Sequence, residues 1–167
     1  AYAEGFFVKC LGLRQLLFII LSYWFWPSLV FRNGKKRQMK NWTSSDVIKI
    51  VAIGPESTGK STLCTKLAEH YSTNWCREFA REYLLQNGTI YTFEDLLTIA
   101  EGQLKLEEEA THECIRLHIE QNKLGRPVLF IDTDMYVMKV WCEFVFGKCH
   151  PKILNQIVER KYDGYLL

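Results

Sequence analysis

The feature that most constrains this chain is the segment GPESTGKS at residues 54–61. It follows a run of mostly β-branched and apolar residues at 47–53 and precedes a helical pattern that begins at Lys60. In such a loop, backbone N–H groups and the N-terminus of the following helix surround phosphate oxygens. The order of strand, loop and helix therefore predicts a phosphate-binding loop (P-loop) that holds a nucleoside triphosphate.

Individual P-loop residues have separate expected roles. Gly54 and Gly59 permit backbone angles and close approach that a Cβ atom would obstruct. Lys60 is expected to reach the β and γ phosphates, and the Ser61 hydroxyl is expected to ligate magnesium. ATP and Mg²⁺ are therefore the predicted cofactors. The residues predicted to bind the nucleotide are Gly54, Pro55, Glu56, Ser57, Thr58, Gly59, Lys60, Ser61 and Thr62.

A carboxylate after a second apolar run is expected to complete the phosphate site. Residues 128–131 read Val-Leu-Phe-Ile, a pattern typical of a fully buried parallel strand, and Asp132 follows them. Ligands of open α/β sheets bind beyond the carboxyl ends of the strands, so Asp132 is predicted to hold magnesium beside Ser61. Asp134 is a second candidate, although a cap for the next helix fits Asp134 better than Asp132.

A third group of charged residues follows the next predicted strand. Glu78 should project near the phosphates, where a carboxylate can accept or orient the proton of a hydroxyl that is being phosphorylated. Arg77 and Arg81 are candidates for neutralising phosphate or holding a substrate group. The alternative is that Glu78, Arg81 and Glu82 form ordinary exposed helix pairs, and spacing alone does not decide between the two.

The alternation of strand and helix patterns predicts an α/β fold, a P-loop NTPase three-layer sandwich with a parallel sheet. Thr92 and Asp95 resemble a capping box at the start of a long helix. The run Glu107, Glu108 and Glu109 in that helix is interpreted as a solvated face. The predicted strands lie at 47–53, 73–76, 128–131 and 165–167, and the predicted helices at 60–71, 77–87, 93–123, 134–146 and 151–161.

Composition narrows the function classes only slightly. A length of 167 residues suits one domain with a sizeable core, and a net charge of +2 does not favour a nucleic-acid partner. The six cysteines lack the paired spacing of a zinc site and are interpreted as small buried hydrophobic residues.

The N-terminal residues differ from the rest of the chain. Residues 16–31 are almost wholly apolar, which is marginal for a membrane helix because crossing requires about 20 such residues. The basic stretch ending at Lys40 would place the end of such a helix in the cytoplasm. We favour the interpretation that residues 1–38 are upstream sequence read through in frame, or the tail of a neighbouring membrane protein, because Met39 stands where a natural start would fall. The expected organisation is an apolar segment at 1–38 and a cytoplasmic P-loop domain at 39–167, tethered to a membrane only if 16–31 form a genuine helix.

Four segments of the chain occur in a distinctive order: IGPESTGKST at 53–62, REFAREY at 77–83, FIDTD at 130–134 and YDGYLL at 162–167. Together they resemble the ribosylnicotinamide kinase domain of NadR-type proteins. The resemblance covers residues 47–167, and the intervening segments at 91–103 and 141–147 fit the family too.

The resemblance implies ATP-dependent phosphorylation of nicotinamide riboside to the mononucleotide, in NAD salvage. It implies residues 54–62 as the nucleotide loop, Asp132 as the magnesium-side aspartate, and Glu78 and Arg81 near the substrate. Proton acceptance by Glu78 is inferred from its placement. The predicted catalytic residues are therefore Lys60, Glu78 and Asp132, with Ser61 and Asp132 on the metal side. The family continues past the strand at Leu167 with a substrate-contacting loop and a lid, so the kinase domain is expected to be incomplete here. The two-activity form of the family, in which an adenylyltransferase domain precedes the P-loop, is not expected here.

Other functions remain open from the sequence. One is another small-molecule P-loop kinase, and a second is an ATPase or nucleotide-dependent switch without a phosphoryl acceptor. A GTPase would need Asn-Lys-x-Asp, and residues 122–125 lack its aspartate. A membrane-tethered interaction protein would rest wholly on residues 16–31.

Overall fold

The computed structural model describes residues 41–167. The expectations for residues 1–38, including the apolar run at 16–31, lie outside the described residues. Within 41–167, none of the helices is both long enough and apolar enough to cross a bilayer.

One or two helices follow each of the first three strands of the described chain. The order is β1 (Ile48–Ala52), α1 (Lys60–Tyr71), β2 (Trp75–Cys76), α2 (Phe79–Asn87), α3 (Phe93–Glu120), β3 (Val128–Asp132), α4 (Met135–Phe146), α5 (Pro151–Glu159) and β4 (Gly164–Leu166).

The strands form one parallel sheet in the order β2-β3-β1-β4. The two central strands pair so that Ala52, the last residue of β1, lies opposite Asp132, the last residue of β3. Because both strands run the same way, the loop after β1 and the carboxylate of Asp132 emerge at the same edge of the sheet. The predicted parallel α/β fold is confirmed.

Alternate side chains of the central strands pack on opposite faces of the sheet. On one face, Ala52 and Phe130 pack with Ala68 of α1. On the other face, Val51 and Ile131 pack with residues of α3 such as Cys114. The two helices therefore cover both faces, which gives the three layers that the sequence predicts. Helices α2, α3, α4 and α5 share a further core beside the sheet, formed by Ala80, Leu96, Ile99, Ala100, Met135, Met138, Cys142 and Ile153.

The predicted boundaries agree with the structure to within two residues, except at the end of α3, and the following differences have local causes. Helix α3 starts at the predicted capping box but ends at Glu120, because Asn122 adopts a left-handed backbone with φ of 49°. Helix α2 starts two residues later than predicted, because Glu78 is extended, with φ of −72° and ψ of 119°.

The interpretation of the glutamate run as a solvated face is wrong for Glu107. Glu108 and Glu109 are exposed, but only 2% of the surface of Glu107 is accessible. The buried stripe of α3 passes through Gln103, Glu107 and Ala110, so the helical repeat turns this carboxylate towards the sheet.

Three side chains compensate the buried Glu107 carboxylate. Lys49 Nζ of β1 lies 2.7 Å from Oε1, and Arg160 Nη1 lies 2.8 Å from the same oxygen. The Tyr162 hydroxyl donates to Oε2 at 2.9 Å. A buried carboxylate is tolerated when it is paired and hydrogen-bonded. The cluster therefore joins β1, α3 and the segment between α5 and β4.

Candidate active site

The P-loop leaves β1 through two glycines with positive φ. Gly54 has φ of 142° and Gly59 has φ of 89°, values that L side chains rarely adopt. Between them, the Pro55 carbonyl oxygen accepts from Thr58 Oγ1 at 2.8 Å and from Lys60 Nζ at 2.7 Å. These bonds hold the loop in a compact turn with its lysine folded over it.

The N-terminus of α1 follows the loop, and among residues 41–167 no side chain caps its first N–H groups. Gly59 occupies the cap position and has no side chain to satisfy the first N–H groups. The first backbone N–H groups of a helix have no intrahelical partner, and the helix dipole adds partial positive charge there. Lys60, Ser61 and Thr62 therefore present an anion-binding end of the kind that holds phosphate.

A hydroxyl and a carboxylate meet beside the loop. Ser61 Oγ donates to Asp132 Oδ2 at 2.5 Å. Asp132 is only 1% exposed, and its Oδ1 is buried without a hydrogen-bond partner among residues 41–167. Both groups are hard oxygen donors of the type that Mg²⁺ prefers, and the unpaired Oδ1 leaves capacity for one more interaction. The residues present therefore fit a magnesium ion.

Asp134 serves as a helix cap. Its Oδ1 accepts from the backbone N–H groups of Tyr136 and Val137 at 3.0 and 3.2 Å, at the start of α4. The Tyr165 hydroxyl of β4 donates to Oδ2 at 3.2 Å. Burial raises the pKa of the Asp134 carboxyl, against the effect of these donors. Because its oxygens are engaged in this way, Asp134 is a weaker candidate for the metal side than Asp132.

Glu78 is a half-buried carboxylate at the N-cap position of α2, yet its side chain makes no capping hydrogen bond. Burial raises the pKa of Glu78, and the nearby charge of Asp132 raises it further. Arg81 and Lys60 act in the opposite direction on this pKa. The nearest ion pair is loose, with Arg81 Nη2 at 3.7 Å from Glu78 Oε2.

Arg77 points to the surface and forms an ordinary pair there. Its Nη2 lies 2.8 Å from Glu82 Oε2, and both side chains are well exposed. The sequence alternative of exposed pairs named Glu78, Arg81 and Glu82. Glu82 pairs with Arg77, whereas Glu78 forms the loose pair with Arg81, is half-buried and lines the cleft described next.

The predicted site residues line two adjoining cavities. The main cleft has a volume of about 640 Å³ and a second cavity has a volume of about 330 Å³. Ser61, Glu78 and Arg81 line both, whereas Asp132 lines only the second. The main cleft is lined by Gly54, Pro55, Glu56, Ser57, Gly59, Lys60, Ser61, Thr62, Glu78, Ala80, Arg81, Leu84, Thr133, Val137, Val140, Trp141 and Phe144. Thr58 is the one predicted nucleotide-binding residue outside that lining, because its hydroxyl bonds within the loop.

Helix α4 gives the main cleft an apolar wall. Val140 and Phe144 are 64% and 89% exposed, and Val137 and Trp141 lie beside them in the lining. Trp141 Nε1 donates to the Tyr91 hydroxyl at 2.8 Å, so the indole is held in one orientation. The cleft therefore has a polar end at the P-loop and an aromatic side.

Gln103 is a site-supporting residue that the sequence reasoning missed. It is 2% exposed, and its Oε1 accepts from the backbone N–H of Phe79 at 2.7 Å. Its Nε2 donates to the carbonyl oxygen of Arg77 at 3.2 Å. The available signal was a polar residue on the apolar stripe of α3, the same signal that Glu107 gives.

Comparison with known proteins places the chain in a family. A protein-family model described as an AAA domain matches residues 49–167. Two curated relatives are the trifunctional NAD biosynthesis/regulator proteins NadR of Escherichia coli (strain K12) and Salmonella typhimurium (strain LT2). Each is 30% identical over 125 residues, which are 72% of this chain and 28% of the relative. The chain thus spans little more than a quarter of the length of these relatives.

A solved structure supports the same placement at the level of fold. A crystal structure of NadR protein in complex with NR superimposes with a TM-score of 0.62 at 21% identity, covering 73% of this chain and 34% of that one. The resemblance to NadR that the sequence motifs indicate is therefore confirmed, with a P-loop fold like that of NadR. Because the family model matches most of its length, the chain belongs to the AAA domain family.

Proposed function

We propose that this chain is an ATP-dependent small-molecule kinase that phosphorylates nicotinamide riboside to nicotinamide mononucleotide. The observation that carries the proposal is the main cleft, where a half-buried carboxylate, Glu78, faces a P-loop across from an aromatic wall. The likeness to NadR, one structure of which is in complex with NR, supports nicotinamide riboside as the acceptor.

The phosphate end of the cleft would bind ATP. Backbone N–H groups of residues 54–62 would surround the phosphates, and Lys60 would exchange the Pro55 carbonyl oxygen for phosphate oxygens. Ser61 and Asp132 would hold Mg²⁺, which neutralises charge on the phosphates when bound.

The acceptor end requires a group that takes a proton. In the proposed step, the 5′-hydroxyl oxygen of the riboside bonds to the γ-phosphorus as the bond from that phosphorus to the bridging oxygen of ADP breaks. The hydroxyl proton passes to Glu78, whose raised pKa suits a proton acceptor better than that of an exposed glutamate. Arg81, which lines the main cleft, would hold a polar or charged group of the substrate.

The apolar wall suits the base of the proposed acceptor. The nicotinamide ring of the riboside is aromatic and carries a positive charge, and such rings bind well against the face of a tryptophan. Trp141 is held in place by Tyr91, and Phe144 extends the wall beside it. The small net charge of +2 favours such a small-molecule partner over nucleic acid. A cytoplasmic location, which follows from the use of ATP, stays a prediction.

The test is phosphoryl transfer from ATP by the full chain, with nicotinamide riboside, adenosine, uridine or no acceptor. We expect selective formation of nicotinamide mononucleotide. Lys60→Ala should abolish it, whereas Lys66→Ala, an exposed lysine on the same helix, should not. Full activity of Lys60→Ala would contradict the site assignment. ATP hydrolysis that ignores every acceptor would instead favour the ATPase or switch alternative.

A further inference from the structure

We infer that Gln103 is a positioning residue that fixes the backbone on both sides of Glu78 and thereby sets where the Glu78 carboxylate meets the acceptor hydroxyl. The inference rests on the proposed function for the role of Glu78. An N-cap side chain commonly accepts a hydrogen bond from the second or third N–H group of its own helix. Glu78 occupies that position in α2 and makes no such bond.

Gln103 of α3 satisfies a different donor, the first N–H group of α2. Gln103 Oε1 accepts from the backbone N–H of Phe79, the first residue of α2, at 2.7 Å. On the other side of Glu78, Gln103 Nε2 donates to the Arg77 carbonyl oxygen at 3.2 Å and to Cys76 Sγ at 3.4 Å. One buried amide therefore fixes the backbone on both sides of the residue that carries the carboxylate.

Only an amide provides this pair of bonds at this place. A carboxamide carries one acceptor and two donor hydrogens on a single planar group. Methionine of similar size supplies no amide donor and only a weak acceptor, and glutamate supplies acceptors alone. Because Gln103 is 2% exposed, water cannot readily replace either bond if the amide is removed.

Further contacts keep α3 and α2 in a fixed relation. Phe79 packs so closely on Gly102 that a Cβ atom there would lie 2.2 Å from Phe79 Cε1. Farther along α2, the Tyr83 hydroxyl donates to Asp95 Oδ1 at 2.6 Å. The position of Glu78 is therefore determined from α3 at three points, of which Gln103 is the one that flanks it directly.

The experiment compares Gln103→Met, Gln103→Glu and a control, Thr111→Val, in the full chain. Thr111 is also buried on α3, where its hydroxyl donates to the Glu107 carbonyl oxygen at 2.6 Å, away from Glu78. We expect Gln103→Met to lower kcat at least about ten-fold while KM for ATP changes by less than about two-fold. Gln103→Glu keeps the acceptor for Phe79 and should retain more turnover than Gln103→Met. Thr111→Val should leave both parameters near wild type.

A double-mutant cycle separates positioning from a merely structural role. In a Glu78→Gln background, Gln103→Met should lower kcat by less than about two-fold further, because the group that it positions is already neutral. An undiminished loss in that background would overturn the inference, as would wild-type kcat for Gln103→Met. Should Gln103→Met fail to fold, wild-type kcat in Gln103→Glu, which lacks the donor to the Arg77 carbonyl oxygen, would also overturn it.

Hydrogen exchange keeps failure of the inference apart from failure of the proposed function. The Phe79 amide should exchange faster in Gln103→Met than in wild type, whatever the chain phosphorylates. If wild type phosphorylates no acceptor, the proposed function fails, and Gln103 is then a cap alone. If wild type is an active kinase and exchange at Phe79 is unchanged in the variant, the capping account is wrong.

Discussion

Replacing Glu107 by alanine removes the acceptor that Lys49, Arg160 and Tyr162 share. Breaking a buried ion pair from one side costs about 3–5 kcal/mol, because the partner charge is left unpaired. Here the side chains of Lys49 and Arg160 are 18% and 25% exposed, so both can regain some water. We therefore expect a loss near the lower limit, about 3 kcal/mol.

The measurement is thermal unfolding of the full chain at neutral pH, followed by circular dichroism. For a folded unit of roughly 130 residues, about 3 kcal/mol corresponds to a decrease in Tm of about 10 °C. The matched control is Glu108→Ala on the exposed side of the same helix, which should shift Tm by no more than about 2 °C. The decrease for Glu107→Ala should persist in about 0.5 M salt, because buried pairs are screened less than exposed ones. Equal Tm values for the two variants would refute the assignment of Glu107 as a buried junction.

Three further predictions concern the site and its supports. The pKa of Glu78 is raised, so the folded state holds its proton more tightly than the unfolded state does. Its ionisation should therefore cost stability as pH rises through the folded pKa, and Glu78→Gln should raise Tm at pH 8 more than at pH 4. The same variant should lose the acidic limb of the kcat/KM profile, and a limb that survives would show another base. Gly102→Ala should lower Tm and turnover, because the added Cβ atom would clash with Phe79. The control is Gly164→Ala, where a Cβ atom meets nothing within 4 Å and turnover should stay near wild type. Equal turnover in the two variants would show that the contact between Gly102 and Phe79 does not support the site. Thr92→Ala should cost about 1 kcal/mol through loss of the capping box of α3, measured by urea unfolding, and an unchanged midpoint would mean that the box contributes nothing.

The nucleotide half of the site was predictable because its signals are local. The P-loop, the apolar strand before it and the aspartate ending β3 are each readable within a few residues of sequence. Their meeting follows from the rule that parallel strands present their carboxyl ends at one edge, and the bond between Ser61 and Asp132 is consistent with it.

The supports of the site were not predictable, because they join distant positions. From the sequence, Glu107 is interpreted as one of three solvated glutamates. Only the tertiary structure shows that Lys49 and Arg160 lie beside it. Gln103 likewise reads as a polar residue within a helix, and its bond to Phe79 depends on how α2 packs against α3. A polar side chain on an apolar stripe signals a buried partner, but the identity of that partner is a property of the tertiary structure.

The pairing of β1 with β3 also affects how the chain folds. The two strands are neighbours, yet α1, β2, α2 and α3 lie between them in the chain, so a long loop must close before they can pair. A slip of one residue in this register would turn Asp132 to the opposite face of the sheet, away from Ser61. A nucleotide that needs both residues can bind only a correctly registered chain, and at about 100 times its Kd it would stabilise that chain by about 2.7 kcal/mol. On the proposed function this nucleotide is ATP, which would thereby favour chains that have reached the native register.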